Sequence, residues 1–122
     1  MSIKLFDSEF KVMEVLWKEG DLPAKQVADI LGEQIGWNKN TSYTVIKKCV
    51  GKGAILRIEP HFICRALISK EEAQAFEVDE LVNKMFEGSE GLLFASLMER
   101  GKITNDVLDK LKKLVASEGG SK

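Results

Sequence analysis

Seven side chains suited to non-covalent recognition fall close together: Asn38, Lys39, Thr41, Tyr43, Thr44, Lys47 and Lys48. Asn and Thr are short groups that both donate and accept hydrogen bonds. Thr and Tyr add apolar atoms that can touch a thymine methyl. The lysines are flexible point charges suited to phosphate. Arg57 and Arg65 follow further along the chain. Residues 35–58 hold five bases (Lys39, Lys47, Lys48, Lys52 and Arg57) and no acid. The chemistry these residues offer is ion pairing to phosphates and hydrogen bonding to base edges.

Whole-chain charge is uninformative at −1, but its distribution is not. Residues 1–34 carry four bases and seven acids. Residues 35–70 carry seven bases against Glu59 alone. Residues 71–122 carry seven bases and eleven acids. A basic block between acidic flanks is the footprint of a phosphate-facing surface.

Bond-making chemistry has little raw material. His61, the one histidine, sits beside Pro60 and reads as a surface turn residue. Cys49 and Cys64 have no Cys or His at ligand spacing, which disfavours a zinc site or a disulfide framework. They read as reduced thiols packed as small hydrophobes, with a redox-sensing role left open. The acidic doublets Glu71-Glu72 and Asp79-Glu80 diverge if helical, because neighbouring residues on a helix do not face each other. We expect no catalytic residue, no metal and no cofactor, and so not an enzyme.

The elements that must position the polar cluster can be read from periodicity. Phe10, Val12, Met13, Leu16 and Trp17 recur at helical spacing over Ser8–Glu19, with Asp7 or Ser8 as the expected cap and Gly20 as the stop. A second helix is expected to open at Pro23, with Ala24, Val27, Ala28, Ile30 and Leu31 on its apolar side, fraying over Gly32–Gly36. Asn38 is the expected cap of a third helix to about Lys52. Val45, Ile46, Cys49 and Val50 would face the first two helices, leaving the polar cluster outward. Trp37 is expected to close the core just before it. Residues 54–59 and 62–68 read as two strands around a turn at Glu59-Pro60-His61.

Ser69 followed by Glu72 is a capping box. It predicts a fourth helix to about Glu87. A short apolar helix over Leu92–Glu99 and a last one from Thr104 to about Ser117 follow. These C-terminal helices are too apolar to stand alone in water, so a second copy is expected to cover them. The residues assigned to that homodimer contact are Leu81, Met85, Leu92, Leu93, Phe94, Leu97, Met98, Leu108, Leu111 and Leu114. The competing arrangement folds them back on their own N-terminal domain.

Helix, helix, helix, hairpin is the order of a winged helix-turn-helix. The expected fold is mainly α with a small β-hairpin: residues 1–69 form the DNA-binding domain, and residues 70–122 form a helical dimerisation region with a flexible tail. The third helix would enter the major groove of double-stranded DNA, and a symmetric dimer would read a palindromic operator. Its contacts are assigned to Asn38, Lys39, Thr41, Tyr43, Thr44, Lys47, Lys48, Arg57 and Arg65. The other reading is a winged helix that binds protein rather than specific DNA. No apolar run reaches the ~20 residues of a membrane span, and the N-terminus meets Asp7 too soon for a signal peptide. A cytoplasmic location is expected.

Glu9-Phe10-Lys11-Val12-Met13-Glu14-Val15-Leu16-Trp17 resembles the "E-x-x-V-M-x-x-x-W" opening of the penicillinase-repressor family. Residues Trp37 to Cys49 are similar to that family's stretch through its recognition helix. Lys52-Gly53-Ala54-Ile55 is similar to the "K-G-x-I" that leads into its wing. The resemblance implies a homodimeric repressor whose Thr41 and Thr44 contact DNA. It also implies an upstream sensor or protease, since some members are inactivated by cleavage in the short dimerisation helix. Ser96–Leu97 occupies the position of the family's cleaved Asn–Phe bond. The copper-released members use clustered C-terminal cysteines, and this chain has none after Cys64. The family's tyrosine-rich second wing strand is replaced by Phe62-Ile63-Cys64-Arg65.

Overall fold

The structure is a computed structural model that describes residues 3–101, 104–107 and 109–110. Its elements run α1 (Asp7–Glu19), β1 (Leu22–Pro23), α2 (Ala24–Ile35), α3 (Lys39–Lys52), β2 (Ile55–Ile58), β3 (Ile63–Ala66), α4 (Lys70–Met85) and α5 (Glu90–Glu99). The chain divides into two compact units, residues 1–78 and 79–122.

The first unit is three helices and a small antiparallel sheet of order β1-β3-β2. In β2 and β3, Ile55 faces Ala66 and Arg57 faces Cys64. The expected strands were longer at both ends than those that form. A third strand was not foreseen: Leu22 and Pro23 pair with Cys64 and Ile63. Pro23 therefore ends a strand and caps α2 rather than opening it, and Ala24 N–H donates to Phe62 O at 2.9 Å. Proline is tolerated there because an edge strand needs no donor from it.

The start of α1 also differs from expectation. Neither Asp7 nor Ser8 caps it. Phe6 takes the cap position without a side-chain bond, and Glu9 reaches back to accept the Phe6 N–H at 2.7 Å. This is the return half of a capping box, serving a cap that has no hydroxyl.

One apolar core gathers Val12, Met13 and Leu16 of α1, Val27 and Leu31 of α2, Ile46 and Cys49 of α3, and Ile55 and Cys64 of the sheet, all buried. Fully burying a side chain of this size contributes about 1.5–3 kcal/mol. Trp37 packs half-buried against this core, as expected. A Cβ at Gly32 would lie 3.3 Å from the Trp37 carbonyl oxygen, a tight contact that glycine relieves, and the residue lies inside the helix rather than at its end. α2 continues through Gly32 and stops at Gly36 in the left-handed conformation. Trp17 donates its indole N–H to Ile68 O at 2.9 Å and meets Phe10 edge-on at 5.7 Å.

The Ser69 capping box forms in both directions: Glu72 N–H donates to Ser69 Oγ at 2.9 Å, and Ser69 N–H to Glu72 Oε1 at 3.0 Å. Hydrogen bonding from the Ser69 backbone N–H, and then from its side chain, holds the Glu72 carboxyl below its usual range. α5 starts earlier than expected because Ser89 caps it, accepting Leu92 N–H at 3.2 Å. No residue of α5 is buried. At Thr104 the expected cap is present, with Val107 N–H donating to its hydroxyl at 3.3 Å. Leu108, Leu111 and Leu114 lie outside the described residues.

Candidate nucleic-acid interface

α3 is positioned by its apolar face. Val45, Ile46 and Cys49 are buried, and Asn38 caps the helix by accepting Thr41 N–H at 2.8 Å. With that face inward, the opposite side presents Lys39, Thr41, Thr44, Lys47 and Lys48 to solvent, and Asn38 is exposed at the N-terminus. No acid pairs with Lys39, Lys47 or Lys48 among the described residues. The helix thus brings the predicted residues together as one surface with three unpaired cations.

Not every predicted residue sits on that surface in the same way. The Thr44 hydroxyl donates to Asn40 O at 2.8 Å, so its outward chemistry is its lone pairs and methyl. Tyr43 is half-buried and packs against Phe62, with ring centroids 6.3 Å apart, which joins α3 to the turn between β2 and β3. Arg57 and Arg65 are on the wing as expected, and both are exposed. Each is paired with an acid: Arg57 with Glu59, and Arg65 with Asp21 at 2.9 Å.

Lys52 corrects the charge argument. By residue type it belongs among the bases of a phosphate-facing block. The structure turns it away: its ammonium lies 2.5 Å from Glu9 Oε1, 2.8 Å from Lys4 O and 4.2 Å from the Phe6 ring centroid. Glu9 itself is 2% exposed. Ser42 was also missed, being polar by type and fully buried, with its hydroxyl unpartnered among the described residues. Its spacing of three and four residues before Val45 and Ile46 is the signal that could have found it.

Both thiols are fully buried. Burial pushes Cys49 up to about 12, aided by the charge of Glu9, and Cys64 up to about 11. A reactive or sensing cysteine needs the opposite, a lowered pKa and access. Folded protein at pH 8 should therefore resist iodoacetamide at both thiols and react fully once unfolded in guanidinium; rapid labelling of the folded form would contradict the burial. The sign for stability follows. Above the ordinary thiol value of 9.0 the unfolded chain loses protons that the folded chain keeps, so stability falls as pH rises towards 12.

Three helices with a small sheet, and an outward cationic third helix, define a winged helix-turn-helix of the kind that reads DNA. The chain belongs to the penicillinase repressor family, whose model matches residues 5–117, and with that membership it is a DNA-binding transcriptional repressor. Among solved structures, the solution structure of the DNA-binding domain of the repressor BlaI is similar in fold. Its TM-score is 0.53 at 24% identity, over 59% of this chain and 93% of that one. No curated protein matches the chain.

Proposed function

We propose that this repressor works in the cytoplasm as a homodimer, placing one α3 in each half of a palindromic operator. The observation that carries the reading is the outward face of α3: Asn38, Lys39, Thr41, Thr44, Lys47 and Lys48 are exposed together, with no acid among them. The major groove admits one helix, and residues near its N-terminus reach base edges. Asn38, Thr41 and Thr44 are assigned to base edges, and Lys39, Lys47 and Lys48 to phosphates.

Support for the dimer comes from the second unit. Leu92, Phe94 and Met98 are 47%, 42% and 54% exposed in the single chain. Leu81 and Met85 of α4 are likewise exposed. Apolar groups this large and this close in sequence call for a partner surface. A symmetric dimer covers them with its own copy and sets two reading helices one DNA turn apart, or a multiple of it. Among the described residues no helix is long and apolar enough to cross a membrane.

The testing experiment is selection of the purified protein on random duplex DNA at two salt concentrations. Enrichment of a palindrome, with affinity falling as salt rises, is the expected result. No enriched sequence at either salt would overturn the operator reading. With the operator in hand, Thr41→Ala should cost about 1–3 kcal/mol on that site and little on unrelated DNA. Lys47→Ala should weaken both alike and flatten the salt dependence by about one. Equal losses from the two variants on every sequence would refute the division of labour.

A further inference from the structure

The wing arginines, unlike the lysines on the outward face of α3, carry neutralising acids at the exposed surface. Arg57 Nε donates to Glu59 Oε2, and the other Glu59 oxygen accepts Phe62 N–H at 3.4 Å. The Arg57 guanidinium lies 3.8 Å from the Phe62 ring centroid, so the cation is held from two sides. Arg65 Nε donates to Asp21 Oδ2 at 2.9 Å, and a terminal guanidinium nitrogen lies 2.9 Å from the same oxygen. The register explains the second pair: Leu22 faces Cys64 across the antiparallel ladder, which sets Asp21 beside Arg65. Glu59 is the only acid in residues 35–70.

Exposed pairs such as these contribute little to stability. Their larger effect is on charge. Affinity for duplex DNA rises with each uncompensated cation that displaces a counterion from phosphate. Lys39, Lys47 and Lys48 qualify, whereas Arg57 and Arg65 bring a carboxylate with them, and a carboxylate beside a phosphodiester is repelled.

We propose that Glu59 and Asp21 withhold the wing arginines from DNA phosphate and so keep down the sequence-independent part of the affinity, leaving α3 to set it. The inference rests on the DNA reading above. It makes Glu59 and Asp21 residues that act on DNA through the arginines they hold.

The test is titration of the full chain with a duplex of arbitrary sequence between about 50 and 200 mM KCl. Four proteins are compared: the parent, Glu59→Gln, Arg57→Ala and the double variant, with melting curves to confirm folding. Glu59→Gln should steepen the slope of log affinity against log salt by about 0.9, a further factor of about three across that range. Arg57→Ala alone should leave the slope unchanged, and added to Glu59→Gln it should restore the parent slope. A slope flattened by about 0.9 in Arg57→Ala alone would mean that Arg57 already lies on phosphate, and would overturn the inference while leaving the DNA reading intact. So would an unchanged slope in Glu59→Gln. A parent that binds no duplex at the lower salt would remove both. Asp21→Asn and Arg65→Ala repeat the comparison at the second pair, and decide the matter if the Glu59 variants do not fold.

Discussion

Phe94→Asp is expected to leave each chain folded and monomeric, and to weaken operator binding by about a hundredfold or more. Phe94 is 42% exposed in the single chain, and no residue of α5 is buried within it. An aspartate there meets water in an isolated protomer and costs the fold little. In a symmetric dimer it would lie near its own copy, where an unpaired charge removed from water costs several kcal/mol. Joining two reading heads makes the second binding event intramolecular, which is worth about 10²–10⁴ in affinity. Sedimentation equilibrium and operator titration read the two effects together. Met98→Asp, on the same short helix and 54% exposed, should behave alike. A dimer that survives both substitutions would move the interface away from α5.

How much of this could be read from residues alone depends on how local the cause is. Helices α1 and α3 follow from apolar spacing and from glycines at their ends, and both are local signals. Asn38 and Ser69 cap as expected because a cap bond spans only three residues. The outward face of α3 was legible for the same reason, since burying Val45, Ile46 and Cys49 leaves Lys47 and Lys48 nowhere else to point. What escaped depends on partners distant in sequence. β1 exists only because Leu22 and Pro23 meet β3, some forty residues on. Asp21 gains its role from the same ladder, and Glu59 from a turn whose geometry no short motif announces. Residue type misled at Lys52 and Glu9, where charge suggested surface and tertiary contact placed the carboxylate in the interior.

That pair carries the other large expected effect. Lys52→Ala should destabilise the protein by about 2–3 kcal/mol, a buried-pair magnitude reduced because the lysine is 29% exposed. Without the ammonium, the buried Glu9 carboxylate keeps the neutral Phe6 N–H as its donor among the described residues, and the Lys52 bond to Lys4 O is lost as well. The lysine is the last residue of α3, so the lost bonds also free that end of the helix from the start of α1. Glu9→Gln combined with Lys52→Met should recover most of the loss. The glutamine can still accept the Phe6 N–H, and no charge is left buried. Urea unfolding measures both variants. DNA titration then separates the two readings of Lys52. Held by Glu9, it faces no phosphate, so Lys52→Ala at temperatures where it is folded should keep the parent salt dependence while losing stability. A variant as stable as the parent, with its salt slope flattened by about one, would put Lys52 back on the DNA-facing surface where its charge alone had placed it.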